Sequence, residues 1–246
     1  ALKTLRYELQ TFVCDGEYQA GLDKILSAYL RNLGSQHEQP GVWISGFFGS
    51  GKSHLAKMLR ALWTNQPFSD GVSARDIADL PQEVKDHFKE LSNAANRHGG
   101  LHAASGTLGS GANNNVRLAL LNIVFKSAGL PEQYHQARFV LWLKKQGIFD
   151  QLKAKVEADG DSWADELEDL YVSRSIARAL LEVDSTLGGD VKEVRQLLRE
   201  QYPNVQDVTN QQMVDAIYDA LAKEGQFPLT LVVLDEAYRE FVTDPD

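Results

Sequence analysis

Eight consecutive residues, Gly46-Phe47-Phe48-Gly49-Ser50-Gly51-Lys52-Ser53, match the phosphate-binding pattern G-x-x-x-x-G-K-[ST] at every fixed position. Phosphate oxygens crowd a backbone, so Gly46, Gly49 and Gly51 suit a loop needing close approach and φ values closed to other residues. The amides of 49–53 can then point at an anion, assisted by the positive end of the helix that follows. Lys52 would supply a point charge to the β and γ phosphates, and the Ser53 hydroxyl would join the coordination of Mg²⁺. Such a pattern arises by accident in roughly 1% of chains of this length.

A second chemical feature lies near the other end of the sequence. After Pro228, the run Leu229-Thr230-Leu231-Val232-Val233-Leu234 is almost unbroken in its apolar character and ends in Asp235-Glu236. It reads as a strand buried on both faces. Asp235 at its C-terminal end would hold Mg²⁺, directly or through water, as a Walker B aspartate does. Glu236 beside it is suited to orient or deprotonate an attacking water. Alone, an apolar strand ending in two carboxylates is as well explained by a solvated strand end. Joined to the glycine loop, it favours an ATP hydrolase with an extra strand between the two motifs over a GTPase, and no Asn-Lys-x-Asp guanine signature occurs.

Other groupings carry less. Gly106-x-x-Gly109-x-Gly111 has the glycine order of a dinucleotide fingerprint reversed and reads better as a mobile loop than as a phosphate- or DNA-contacting one. Arg174, Arg178, Arg195, Arg199 and Arg239 are candidates for an arginine finger, but their spacing selects none, and each reads as a surface salt-bridge residue. His98 and His102 are separated by Gly99-Gly100-Leu101, which opposes the helix that a four-residue metal face requires, so both read as loop histidines. The carboxylates of 150–169 lack ligand-loop spacing and read as a solvated helix face.

The elements that must position the loop follow from periodicity. Tyr18, Leu22, Ile25, Leu26, Tyr29, Leu30 and Leu33 share one helical face over 17–33, closed by Gly34 and a polar linker to Pro40. Val42-Trp43-Ile44, bounded by glycines, reads as a short buried strand feeding the loop. Leu55, Met58, Leu59, Leu62 and Trp63 then repeat at helical spacing until Asn65-Gln66-Pro67. Pro81 opens a helix carrying Val84, Phe88 and Leu91 inward, and 98–104 can hold a short strand before a loop over 105–115. Residues 116–126 are apolar almost all round and should form a buried helix. From Pro131 to Gly225 the pattern is helical, with capping boxes at Ser162-x-x-Asp165 and Thr209-x-x-Gln212. One stripe holds Val191, Val194, Leu197, Leu198 and Tyr202, and another Met213, Ile217 and Leu221.

Composition sets the outer bounds. The chain has 246 residues, 43% of them hydrophobic, with a formal net charge of −9. A sequence pI near 5.2 argues against coating nucleic acid over the whole surface but leaves room for a local basic groove. No apolar stretch reaches the roughly 18 residues of a membrane span, so no membrane partner is expected. The single cysteine, Cys14, excludes an intrachain disulfide, and the opening Ala-Leu-Lys-Thr-Leu-Arg is unlike a secretion signal. A cytoplasmic location is expected.

The segment Val42-Trp43-Ile44-Ser45-Gly46-Phe47-Phe48-Gly49-Ser50-Gly51-Lys52-Ser53-His54 resembles the large P-loop ATPases of BREX bacteriophage-defence systems, the BrxC/PglY-like proteins. Phe47-Phe48 inside the loop and His54 after Ser53 are more specific than the general motif. Phe12-Val13, the 17–33 helix and Ala104-Ser105-Gly106-Thr107-Leu108-Gly109 are also similar to that family. The resemblance implies a cytoplasmic AAA+-like ATPase that uses ATP and Mg²⁺ and self-associates at full length. It would act with a DNA methyltransferase and other defence components, meeting DNA directly or through them. By position, residues 46–54 would bind nucleotide, Ser53 and Asp235 the metal, and Lys52 and Glu236 would be catalytic. Members are much longer, so this chain is expected to be an N-terminal part whose core sheet lacks strands that normally flank the loop strand.

The expected fold is therefore α/β, a P-loop NTPase of AAA+ or ASCE type, with a partial parallel sheet and a long, mainly helical insertion. Residues 1–40 would be a helical segment and linker, 41–115 the first part of the core, 116–227 the insertion, and 228–246 the Walker B strand. Strands 42–45 and 229–234 would lie near the centre of the sheet, and the insertion would face a partner or DNA. Two further readings compete with the ATPase: a nucleotide-gated scaffold that recruits partners with little turnover, and a small-molecule kinase, disfavoured because no acceptor motif is found.

Overall fold

A computed structural model describes residues 2–34, 41–47, 49–108 and 115–235 of the chain. It is a mixed α/β structure, rich in helix, whose described residues divide into two units, one within 2–107 and 222–235 and the other within 108–221.

The first unit holds α1 (Leu2–Gln10), α2 (Gly16–Asn32), α3 (Lys52–Trp63), the one-turn α4 (Ala74–Ile77) and α5 (Gln82–Ala95). It also holds β1 (Leu101–Thr107) and β2 (Leu229–Asp235). The helical periodicities are realised in its core: Leu22, Ile25 and Leu26 of α2, Leu55, Met58, Leu59, Leu62 and Trp63 of α3, and Val84, Phe88 and Leu91 of α5 are buried together. α1 adds Leu5 and Leu9 to that core, and Leu229 enters it from β2. Tyr29 meets Trp63 edge-on with ring centroids 4.8 Å apart, and burial pushes the Tyr29 hydroxyl up to about 12. At the end of α3, Arg75 donates to the Leu62 and Trp63 carbonyls, two acceptors that a helix C-terminus leaves without intrahelical partners.

β1 and β2 pair in parallel, from Leu101 opposite Leu229 to Thr107 opposite Asp235. The pair starts where Gly99 N–H donates to Phe227 O and Leu229 N–H to Gly100 O. A Cβ at position 99 would stand 2.5 Å from the Gln226 carbonyl oxygen, so the close approach requires glycine. Strand β1 lies later than the sequence suggests. It takes in Ser105–Thr107, read as loop, and His102, which sits on the strand opposite Thr230. Gly106 likewise lies in β1, while Gly109 and Gly111 fall outside the described residues.

Two expectations about strands are corrected. β2 is not buried on both faces: Leu229 and Leu231 turn to the core, while Val232 and Leu234 are 39% and 36% exposed. Alternation puts successive residues on opposite sheet faces, and among the described residues α3 covers one face of β2 only. Val42-Trp43-Ile44 is neither a strand nor buried; its backbone joins no ladder, and Trp43 is 63% exposed. A strand exists through its neighbours' hydrogen bonds, and the sheet of described residues has only the β1–β2 pair. The 35–40 linker lies outside the described residues.

The second unit is helical: α6 (Val116–Ser127), α7 (Tyr134–Lys145), α8 (Phe149–Ala158), α9 (Trp163–Glu168), α10 (Arg174–Val183), a 3₁₀ turn (Ser185–Leu187), α11 (Val191–Gln201) and α12 (Asn210–Leu221). Its own core gathers Leu121, Phe125, Phe139, Leu143, Ile176, Leu180, Val194 and Leu198. Helix α6 is buried in its second half, whereas Val116 at its start is 46% exposed. Local chemistry sets the starts. Ser162 Oγ accepts from Asp165 N–H, and Thr209 and Gln212 exchange hydrogen bonds in a reciprocal capping box. Arg117 on α6 forks onto Asp207, whose carboxyl it holds down at about 2. No described helix is long and apolar enough to cross a membrane.

Candidate functional site

The glycine loop opens α3. Gly51 is the N-cap residue at φ +83°, ψ 10°, a left-handed conformation, and Gly49 has φ +81°. An L side chain at 51 would be strained, and its Cβ would fall 1.9 Å from the Tyr18 hydroxyl, so the position is restricted twice. Leu55 N–H donates to Gly51 O at 2.9 Å, starting the helix, and Ser50 N–H donates to Phe47 O at 3.1 Å, turning the loop. Lys52 folds back across this turn. Its Nζ donates to the Gly46 and Phe47 carbonyls, each at 2.8 Å, and reaches Ser50 Oγ at 3.5 Å. Sequence reasoning aimed Lys52 outward at phosphate, whereas the structure shows it holding the first half of its own loop.

The surroundings suit an anion. The first turn of α3 carries no acidic residue, so nothing there opposes negative charge at the positive end of the helix. Ser53 is exposed on that turn, and Phe47 is 91% exposed. A phosphate would find glycine-permitted backbone, a lysine and a hydroxyl within the span 46–53.

The strand ends are set against α3 by two contacts. Trp63 Nε1 donates to Leu229 O at 3.1 Å, at the start of β2. Arg60 donates to Ser105 Oγ at 2.8 Å, further along β1. α3 therefore runs antiparallel to both strands, and its Lys52 end lies toward the strand ends at Thr107 and Asp235. Asp235 is the last residue of β2, opposite Thr107. Glu236 and Phe48 lie outside the described residues. Among the described residues no group of three or more His, Cys, Asp or Glu can hold a metal ion. Mg²⁺ does not need one, since it is commonly held by one or two protein oxygens together with substrate phosphates and water. The exposed Ser53 hydroxyl is one oxygen of that kind.

Other sequence candidates fall elsewhere. Arg178 pairs with Asp159, and Arg195 and Arg199 both donate to the Tyr171 carbonyl within the helical unit. Arg174 opens α10, and Arg239 is outside the described residues. In the 150–169 stretch, Glu166 accepts from Ser173, and Asp161 accepts from Ser175.

The loop also has neighbours that its motif does not announce. Tyr18 on α2 donates its hydroxyl to Ser50 O at 3.4 Å. Phe12 is buried between Tyr18 and His54, with ring centroids 5.8 Å from each. Helical spacing marked Tyr18 only as a core-facing residue, because no local pattern reports a contact 32 positions away. No protein-family model matches the chain, and no solved structure matches it.

Proposed function

We propose that the chain binds Mg·ATP at the loop 46–54 and hydrolyses it, as a P-loop ATPase of a BREX-like antiviral assembly that works on DNA with a methyltransferase and other defence proteins. One observation carries the nucleotide reading: a G-x-x-x-x-G-K-S loop with left-handed Gly49 and Gly51 caps α3, with Lys52 folded over it. The direction of α3 against β1 and β2 supports it further, because it sets that loop toward the strand end bearing Asp235. The assignment to the defence family rests on the resemblance of residues 42–54.

In this reading Lys52 exchanges the carbonyls of Gly46 and Phe47 for phosphate oxygens, and the backbone of 49–53 with the positive end of α3 orients them. Ser53 and Asp235 would hold Mg²⁺, which would supply neutralisation of charge developing on the phosphates. Glu236 accepts the proton of the attacking water. The helical unit carries 12 Lys and Arg against 17 Asp and Glu over 108–221. That balance favours a protein partner over direct contact with duplex DNA along this unit.

The nucleotide-gated scaffold remains the second reading, favoured by the Val42–Ile44 segment, since a loop whose preceding segment joins no ladder is less firmly held for turnover. Steady-state ATP hydrolysis by the natural-length protein, with and without double-stranded DNA, separates the two. Glu236→Gln should keep ATP binding while turnover falls on the order of 10²–10⁴-fold, and Lys52→Ala should weaken binding itself. Binding with negligible turnover in both wild type and Glu236→Gln would favour the scaffold, and no binding by wild type would overturn both readings.

A further inference from the structure

The phosphate loop is held from outside its own motif. Tyr18 belongs to α2; its hydroxyl donates to Ser50 O and occupies the space where a Cβ on Gly51 would fall. These are the residues immediately before Lys52, where the chain turns from left-handed loop into helix. The Phe12 ring lies with its centroid 5.8 Å from that of Tyr18 and 5.8 Å from that of His54, so it reaches the chain just after Ser53. Tyr18 therefore meets the chain just before Lys52-Ser53 and Phe12 just after it, and both come from the segment 12–18. That segment is anchored: Phe12 and Cys14 are buried, Tyr18 and Gln19 N–H donate to Asp15 O, and Leu22 and Leu26 sit in the core with Leu55 and Leu59 of α3.

We infer that Tyr18 is a positioning residue of the phosphate loop, presetting residues 50–51 for phosphate, with Phe12 extending the support to His54. The inference rests on the nucleotide reading above. Its physical basis is preorganisation: a loop already held in its binding shape does not lose that freedom again when ligand arrives. The Tyr18 hydroxyl meets the loop at a backbone carbonyl, so its effect should reach the phosphates of ATP and ADP alike.

The test is binding of a fluorescent ATP analogue with Mg²⁺ to the full chain, for wild type, Tyr18→Phe, Tyr18→Ala and Lys52→Ala, with a melting curve of each in the absence of nucleotide. Tyr18→Phe keeps the ring but removes the oxygen that meets both Ser50 and Gly51, and should weaken binding about two- to fivefold with an unchanged melting point. Tyr18→Ala should weaken it roughly tenfold or more. If Tyr18→Ala does not fold, Tyr18→Phe decides alone. In protein carrying 3-fluorotyrosine, the resonance missing from Tyr18→Phe should move when Mg·ATP is added to wild type and stay in place for Lys52→Ala. Wild type that binds no nucleotide overturns the functional reading. Wild type that binds, with Tyr18→Phe equal to it in affinity or with an unmoved resonance, overturns the positioning role and leaves that reading intact.

Discussion

Trp63 Nε1 donates to the carbonyl of Leu229 at 3.1 Å, joining the last residue of α3 to the first of β2 across 166 positions of sequence. The indole is 1% exposed, so its N–H must find a partner inside the protein, and the strand start supplies it. Together with Arg60 on Ser105, this bond fixes the direction of α3 against the sheet and hence the end at which Lys52 lies. Trp63→Phe keeps a ring for Tyr29 to meet but removes the donor and part of the buried surface. The first unit should lose about 2–3 kcal/mol, read as a lower urea midpoint. An unchanged midpoint would show that the bond does not tie helix to strand.

Arg75 should matter more than its place on a one-turn helix suggests. Its guanidinium donates to Leu62 O at 2.6 Å, Trp63 O at 2.8 Å, Phe88 O at 2.9 Å and Ser92 Oγ at 2.6 Å, and stacks over the Phe88 ring. Burial pulls its pKa down to about 10, still far enough above neutrality to keep it charged at pH 7. Lysine carries the charge without the fork and cannot reach four acceptors from one planar group. Arg75→Lys should therefore cost about 1–2 kcal/mol and Arg75→Met about 2–4 kcal/mol, measured by chemical denaturation. Equal stability of Arg75→Lys and wild type would reduce the residue to a simple charge.

The parts legible in the sequence were those governed by local rules. Helical periodicity located α2, α3, α5, α11 and α12, and the reciprocal cap of Thr209 and Gln212 was readable from residue type and spacing. α1 and α4 carried too few turns to show a stripe, although Ser73 and Asp76 do form a capping box. Strand readings fared less well, because a strand is decided by neighbours remote in sequence. Val42-Trp43-Ile44 has the composition of a strand and joins no ladder, while Ser105-Gly106-Thr107 has the composition of a loop and pairs with Val233–Asp235. At the candidate site, residue types within 46–53 were legible as phosphate chemistry. Lys52 turning onto the carbonyls of Gly46 and Phe47, and Tyr18 reaching Ser50, depend on three-dimensional closure that no spacing encodes.

Gly99 shows how one small residue sets the register of the sheet. A Cβ there would meet Gln226 O at 2.5 Å and Pro228 N at 3.0 Å, and both are backbone atoms that cannot swing aside. Gly99→Ala should push the 226–228 segment away, lengthen the Gly99 N–H to Phe227 O bond and cost about 1–3 kcal/mol by overpacking. Amide exchange is the direct measurement. Protection at Leu229 and Leu231 should fall in Gly99→Ala while protection in α11 of the helical unit stays the same. Loss of protection in both units alike would mean general destabilisation and no register role.

Mild acid should weaken the helical unit through His135. The side chain is 9% exposed, stacks on Tyr171 at 5.2 Å and sits in the first turn of α7. Burial pulls its pKa below the ordinary 6.5, and the positive end of the helix disfavours the imidazolium in the same direction. Between the folded pKa and 6.5 the unfolded chain binds more protons than the folded one, so stability rises with pH across that window and is lost as pH falls through it. His102 adds the same sign in the first unit, where burial and then Lys223 lower its pKa. The melting temperature should therefore drop between pH 7.5 and pH 5, and His135→Phe should flatten the dependence for the helical unit by removing the titrating group while keeping the ring stack. A pH profile unchanged in His135→Phe would assign the acid sensitivity to His102 or to the carboxylates.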